Sequence, residues 1–199
     1  KLGLVEKFGL EGKEAAILCA SHMAEPFHIE ALESIMKKTG IGEDKLICMA
    51  KPRRIYHNCA GKHFGILMLC KELGHEMDGY WKIEHPVQQL IKEHISIISG
   101  YPEDDIQIGV DGCGVPVFAM PLKFLANAFL RLACPDLISD NAVRGAVERI
   151  VTLMNAHPEM IAGTRSVCST LLQDDNIVAK GGAMGVYCFG LKKERLGFV

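Results

Sequence analysis

Apolar residues recur at intervals of three and four along several stretches of this chain, and that spacing predicts amphipathic helices. Phe27, Ile29, Leu32, Ile35 and Met36 mark one face of a helix from Phe27 to Thr39, stopped by Gly40. Val87, Leu90, Ile91, His94, Ile95 and Ile98 mark another that starts at Pro86, and His94 on that stripe reads as a core histidine. Further helices are expected over 2–9, His63 to Leu73, Pro121 to Ala133, Ser139 to Asn155 and Ser166 to Gln173, with Ser139 or Asp140 capping the fourth of these.

Other segments carry a shorter rhythm. Ile106 to Val110 alternates apolar with polar or small residues and predicts a strand, with Val117 to Met120 returning antiparallel to it. Arg53 to Tyr56 reads as a short strand, and Ala15 to Ala20 as a buried strand or a core helix turn. Ile177 to Phe189 reads as strand, glycine loop, strand, and the last residues, from Leu196, as a further strand. With no repeat, low-complexity tract or evident linker, the pattern predicts a single mixed α/β domain.

Composition narrows the classes. A formal charge of -2 lacks the basic excess of a general nucleic-acid binder. No run reaches the roughly 18 to 20 apolar residues that a membrane helix needs. The eight cysteines form no Cys-x-x-Cys pair, and several lie in apolar runs, so a reducing, cytoplasmic setting is expected rather than a disulfide framework. Both ends read as interrupted elements, which suggests a piece cut from a longer chain.

Chemistry concentrates in His57-Asn58-Cys59-Ala60-Gly61-Lys62-His63, directly before an apolar run. That is a loop feeding a helix, whose first N–H groups lack acceptors and favour an anion. Cys59 and Lys62 are about one turn apart, so thiol and amine can face one point; a buried structural cysteine beside a surface lysine is the alternative. Ser34-Ile35-Met36-Lys37 also fits a Ser-x-x-Lys pattern, but Lys37 sits in a basic last helical turn and reads as a solvated charge.

Taken in order, Ala20-Ser21-His22-x-x-Glu25, His57-Asn58-Cys59-x-Gly61-Lys62-His63, His85-Pro86-Val87-Gln88, Asp111-Gly112-Cys113-x-x-Pro116, Ala162-Gly163-Thr164-Arg165 and Lys180-x-Gly182-Ala183-x-Gly185-Val186 form a series. This series resembles the asparaginase II family, the rhizobial-type L-asparaginases, over nearly the whole chain. The resemblance implies a fold like that of serine β-lactamases and penicillin-binding proteins, an α/β (α+β) arrangement of a mixed sheet with flanking helices. It implies a homodimeric amidohydrolase converting L-asparagine to aspartate and ammonia, with Ser/Lys pairs beside a zinc site. Carried over by position, Ser21 is the second serine and Lys180 the second lysine, working beside a Ser-x-x-Lys nucleophile, and Cys59, Lys62 and Cys113 are zinc ligands. His22, Glu25, His57, Asn58, His63 and Arg165 are substrate-binding residues. Two thiolates suit zinc, and a third protein ligand leaves one position open. Backbone N–H groups at Gly61 or at Gly181-Gly182 are expected to hold the oxyanion.

The chain departs from the family pattern at Ala60, Ala24 and Met184, where Ser, Gly and Glu are usual. The family's first Ser-x-x-Lys, which carries its nucleophile, lies upstream of the segment matching Lys1, so these residues alone are expected to lack activity. Those departures leave open a non-catalytic zinc or small-molecule binder on the same fold. A cysteine amidase using Cys59 with His57 or His63 as base is a third possibility.

Overall fold

A computed structural model describes residues 3–199, so position 2 of the helix expected over 2–9 lies outside it. In chain order the helices are α1 (Leu4–Lys7), α2 (Lys13–Ile17), α3 (Pro26–Thr39), α4 (Ala60–Leu73), α5 (Pro86–Ser99), α6 (Leu122–Ala133), α7 (Asn141–Ala156), α8 (Pro158–Ala162) and α9 (Val167–Leu171). The strands are β1 (Gln107–Val110), β2 (Pro116–Ala119), β3 (Ile177–Gly181), β4 (Tyr187–Leu191) and β5 (Leu196–Phe198). The molecule is mostly helical with two small antiparallel sheets, β1-β2 and β3-β4-β5. No described helix is long and apolar enough to cross a membrane.

The helices follow from their end signals and stripes. Pro26 starts α3, Gly40 in the left-handed region ends it, and Ile29, Leu32 and Ile35 are buried on one face. Asp140 rather than Ser139 caps α7, accepting from the N–H groups of Ala142 at 2.8 Å and Val143 at 3.0 Å; such a cap contributes about 1 kcal/mol. Behind it Val143, Val147, Val151 and Met154 are buried at helical spacing. α4 is the central element. Ala60, Gly61, His63, Phe64, Ile66, Leu67, Met68 and Cys70 are all buried, so it is wrapped by core instead of lying on it.

In the larger sheet, Ile177 pairs with Leu191 and Gly181 with Tyr187, while Phe189 pairs with Phe198 and their rings stack at 4.6 Å. α6 lies across β4 and β5 at a distance only glycine permits. A side chain at Gly190 would strike the carbonyl of Phe129, and one at Gly197 that of Ala126.

Several expectations give way. The strands described here pair only antiparallel, so the mixed sheet is replaced by the two small sheets. Arg53 to Tyr56 is not a strand: Arg54–Tyr56 is a 3₁₀ turn closed by Tyr56 N to Arg53 O at 3.1 Å and His57 N to Arg54 O at 3.0 Å. Ala15 to Ala20 resolves as the end of α2 and the turn after it. β1 and β2 form as expected, but β1 is exposed along its whole length, because the hairpin pairs with nothing else. His94 is exposed, not core; its Nδ1 donates to Leu90 O at 2.9 Å along its own helix.

Candidate functional site

Four segments distant in sequence meet around one cleft of about 700 Å³. They are the turn after α2 (Leu18 to Ser21), the start of α4 (His57 to Cys59, with Lys62), the β1-β2 turn (Asp111 to Cys113) and the end of β3 (Lys180 to Ala183).

Backbone contacts set these positions. Ser21 N donates to Ile161 O at 2.9 Å and His22 N to Asn58 O at 3.0 Å, which fastens the first segment to the second. Asn58 Nδ2 then donates to Ser21 Oγ at 3.0 Å. His57 Nδ1 accepts from Cys59 N at 3.1 Å and so turns its ring over the start of α4. Gly61 lets α4 come against α2: any Cβ there would collide with the carbonyl of Ile17. In the β1-β2 turn, Asp111 N donates to Val115 O and Gly114 N to Asp111 O, both at 2.9 Å.

This assembly brings Cys59, Lys62 and Cys113 together and adds a carboxylate. Ligand atoms of Cys59, Asp111 and Cys113 all lie within 4.8 Å of one another. Asp111 Oδ2 accepts from Cys113 Sγ at 3.0 Å and from Lys62 Nζ at 3.2 Å. Asp111 was not foreseen as a ligand. Its signal was its place two residues before Cys113 in a glycine turn, where a carboxylate and a thiol point to the same side.

The charges are tightly coupled. A hydrogen bond from Cys113, helped by the Lys62 charge, lowers the Cys59 thiol to about 7. The same bond, with burial, pushes Cys113 up to about 12. The pair therefore divides as one thiolate and one thiol. Burial alone would lower the Lys62 pKa, but the charges of Cys59, Cys113 and Asp111 outweigh it and hold the ammonium form. Asp111 is held below its ordinary value, first by Cys113 and then by Lys62. Two soft sulfurs with a carboxylate and an amine are a donor set that fits zinc.

Lys180 lines the cleft across from this cluster, and burial lowers its pKa. Its Nζ donates to Gly181 O at 2.6 Å, not to Ser21. Below it, Cys168 Sγ accepts from Gly181 N at 3.1 Å, and Gly182 N donates to Val186 O at 2.8 Å. Those two N–H groups are thus occupied, which corrects the expectation that the Gly181-Gly182 turn holds an oxyanion. Gly61 and Lys62 sit in the first turn of α4, where a helix supplies its N–H groups with no acceptor.

Of the residues expected to bind substrate, His57 and Asn58 line the cleft and the other four do not. His22 is only 1% exposed beneath it, with Nδ1 accepting from Ala24 N at 3.0 Å. His63 is fully buried against Tyr80. Glu25 accepts from Thr164 N at 2.8 Å and Thr164 Oγ1 at 3.1 Å, and exposed Arg165 lies near enough to help keep its carboxyl ionised. That group ties two loops together. Ala24 and Met184 both hold positive φ, 54° and 58°, and Met184 is 99% exposed.

A family model described as L-asparaginase II matches the chain over residues 1–199. No curated protein matches it.

Proposed function

The chain belongs to the L-asparaginase II family, and from that premise we propose that the cleft hydrolyses the side-chain amide of L-asparagine to aspartate and ammonia. The reading includes a serine β-lactamase-like arrangement of this single domain, with Ser21 and Lys180 as the catalytic pair supplied by these residues. The observation that carries it is that Ser21, Lys180 and the Cys59–Asp111–Cys113 cluster line one cleft.

A serine hydroxyl attacks an amide only if a base takes its proton, and a lysine whose pKa burial has lowered can be that base. Asn58 occupies a lone pair of Ser21 Oγ, which leaves the hydroxyl hydrogen free to be given up. The amine that accepts this proton can return it to the departing nitrogen, so that ammonia leaves neutral and an acyl-serine ester remains. Water then cleaves that ester to release aspartate and the free serine. N–H groups of the first turn of α4 are the remaining candidates for the oxyanion, a role worth about 3 to 4 kcal/mol when well aimed. His57 and Asn58 form the wall against which the substrate is positioned. Cys59, Cys113 and either Lys62 or Asp111 would hold a zinc ion, which would supply Lewis-acid polarisation at the cleft edge.

The test is ammonia release from L-asparagine and L-glutamine by the full-length protein with zinc supplied. Release from asparagine that Ser21→Ala reduces at least about 100-fold supports the reading; undiminished release in Ser21→Ala removes Ser21 from the chemistry.

The lowered thiol of Cys59, at about 7, favours one other reading, a cysteine nucleophile with His57 beside it. Alkylation that stops turnover while zinc remains bound distinguishes it.

A further inference from the structure

Tyr80 lies beyond the end of α4 and is wholly buried. Its hydroxyl oxygen accepts from Ile47 N at 3.1 Å and lies 2.6 Å from His63 Nδ1. With that oxygen accepting from a backbone N–H, its own hydrogen is free for Nδ1 in the tautomer where Nδ1 accepts. In that tautomer the ring hydrogen falls on Nε2. In a residue that is 0% exposed, this Nε2 has no hydrogen-bond partner of ordinary geometry. The ring acts on Cys113, whose pKa it lowers against burial and the bond with Cys59.

Tyr80 reaches the same loop by a second route. Ile47, whose N–H it holds, packs under Gly114, where φ is +91° and an added Cβ would come within 2.6 Å of Ile47 Cδ1. The residue after Cys113 thus rests on a segment that the Tyr80 hydroxyl pins.

We propose that Tyr80 is a positioning residue for the metal cluster: its hydroxyl fixes His63 with Nε2–H toward Cys113, which orients that sulfur for zinc. This rests on the reading of Cys59 and Cys113 as zinc ligands. Groups that hydrogen-bond to a ligand fix its direction and donor strength, and their loss typically weakens binding about 10- to 100-fold.

The experiment measures zinc affinity by competition with a chromophoric chelator on the full-length protein, Tyr80→Phe, His63→Leu and the double variant. Cobalt absorption follows thiolate ligation, and circular dichroism follows folding. The expected result is an affinity loss of about 10- to 100-fold in each single variant, a shifted cobalt–thiolate band, and no greater loss in the double, because the two act in one chain. Native affinity with an unshifted band in Tyr80→Phe, or losses that multiply in the double, overturns the proposal while leaving the zinc site standing. His63→Leu keeps the Tyr80–Ile47 contact and carries the test if Tyr80→Phe does not fold; native affinity there overturns it equally. Absence of zinc binding by the native protein overturns the zinc reading and this proposal together.

Discussion

Cys59 and Cys113 behave as a pair, and the number of protons they give up identifies their third partner. Above pH 7 Cys59 is already a thiolate and Asp111 is ionised, whereas Cys113 keeps its hydrogen to about 12 and Lys62 remains an ammonium. Zinc bound through Cys59, Asp111 and Cys113 at pH 8 should therefore release about one proton, and through Cys59, Lys62 and Cys113 about two. Calorimetry in buffers of different ionisation enthalpy measures this directly, and Cys113→Ser should lose most of the zinc affinity. At this scale the sequence was informative where residues of one motif stay together, as in Cys59 and Lys62 one turn apart. It was silent where the link crosses the fold. Nothing near Tyr80 in the chain suggests that its hydroxyl meets His63, and Asp111 was visible only as part of a turn.

Elements were legible where their ends carry chemistry. Pro26 and Gly40 bracket α3, Asp140 caps α7, and the periodic valines of α7 are the ones that are buried. Segments without such signals misled: Arg53 to Tyr56 has the residues of a strand, yet Arg54–Tyr56 closes as a 3₁₀ turn and pairs with none of the described strands. The apolar alternation of β1 likewise predicted pairing but not burial, since burial depends on what covers the hairpin. Two glycines of helices separate packing from propensity. Gly61→Ala puts a methyl into the Ile17 carbonyl and should destabilise by about 2 kcal/mol or more, with loss of zinc binding as α4 shifts. Gly145→Ala in α7 meets nothing within 4 Å and should stabilise by about 0.5 to 1 kcal/mol. Urea denaturation compares them.

For the whole molecule, buried histidines couple folding to pH. Burial, then the neighbouring His28 and His57, lowers the His22 pKa from 6.5 to about 4. The unfolded chain therefore binds this proton first, and stability rises with pH through the window. Folding should be unaffected by this group above about pH 6.5 and lose about 3 kcal/mol as pH falls toward 4. Denaturation midpoints at pH 7 and pH 4.5 check it, and His22→Gln should flatten the difference.

The mixed α/β class was legible in the chain as a whole, because helical and alternating stretches both recur. The antiparallel β1-β2 hairpin was legible too, whereas the pairing of the short strand β5 was not, since it depends on α6 packed against β4 and β5 at Gly190 and Gly197.

The claim on which the account rests is that the cleft shared by Lys180 and the sulfur cluster is where asparagine is cleaved. Ammonia release from L-asparagine by the full-length protein and by Lys180→Met tests it most directly. The account predicts release whose rate climbs with pH on a limb below the ordinary lysine value of 10.5, as the buried amine becomes neutral. It also predicts a fall of at least about 100-fold in kcat/KM for a folded Lys180→Met protein. Release that Lys180→Met leaves unchanged, or none from the zinc-supplied native protein, would contradict it.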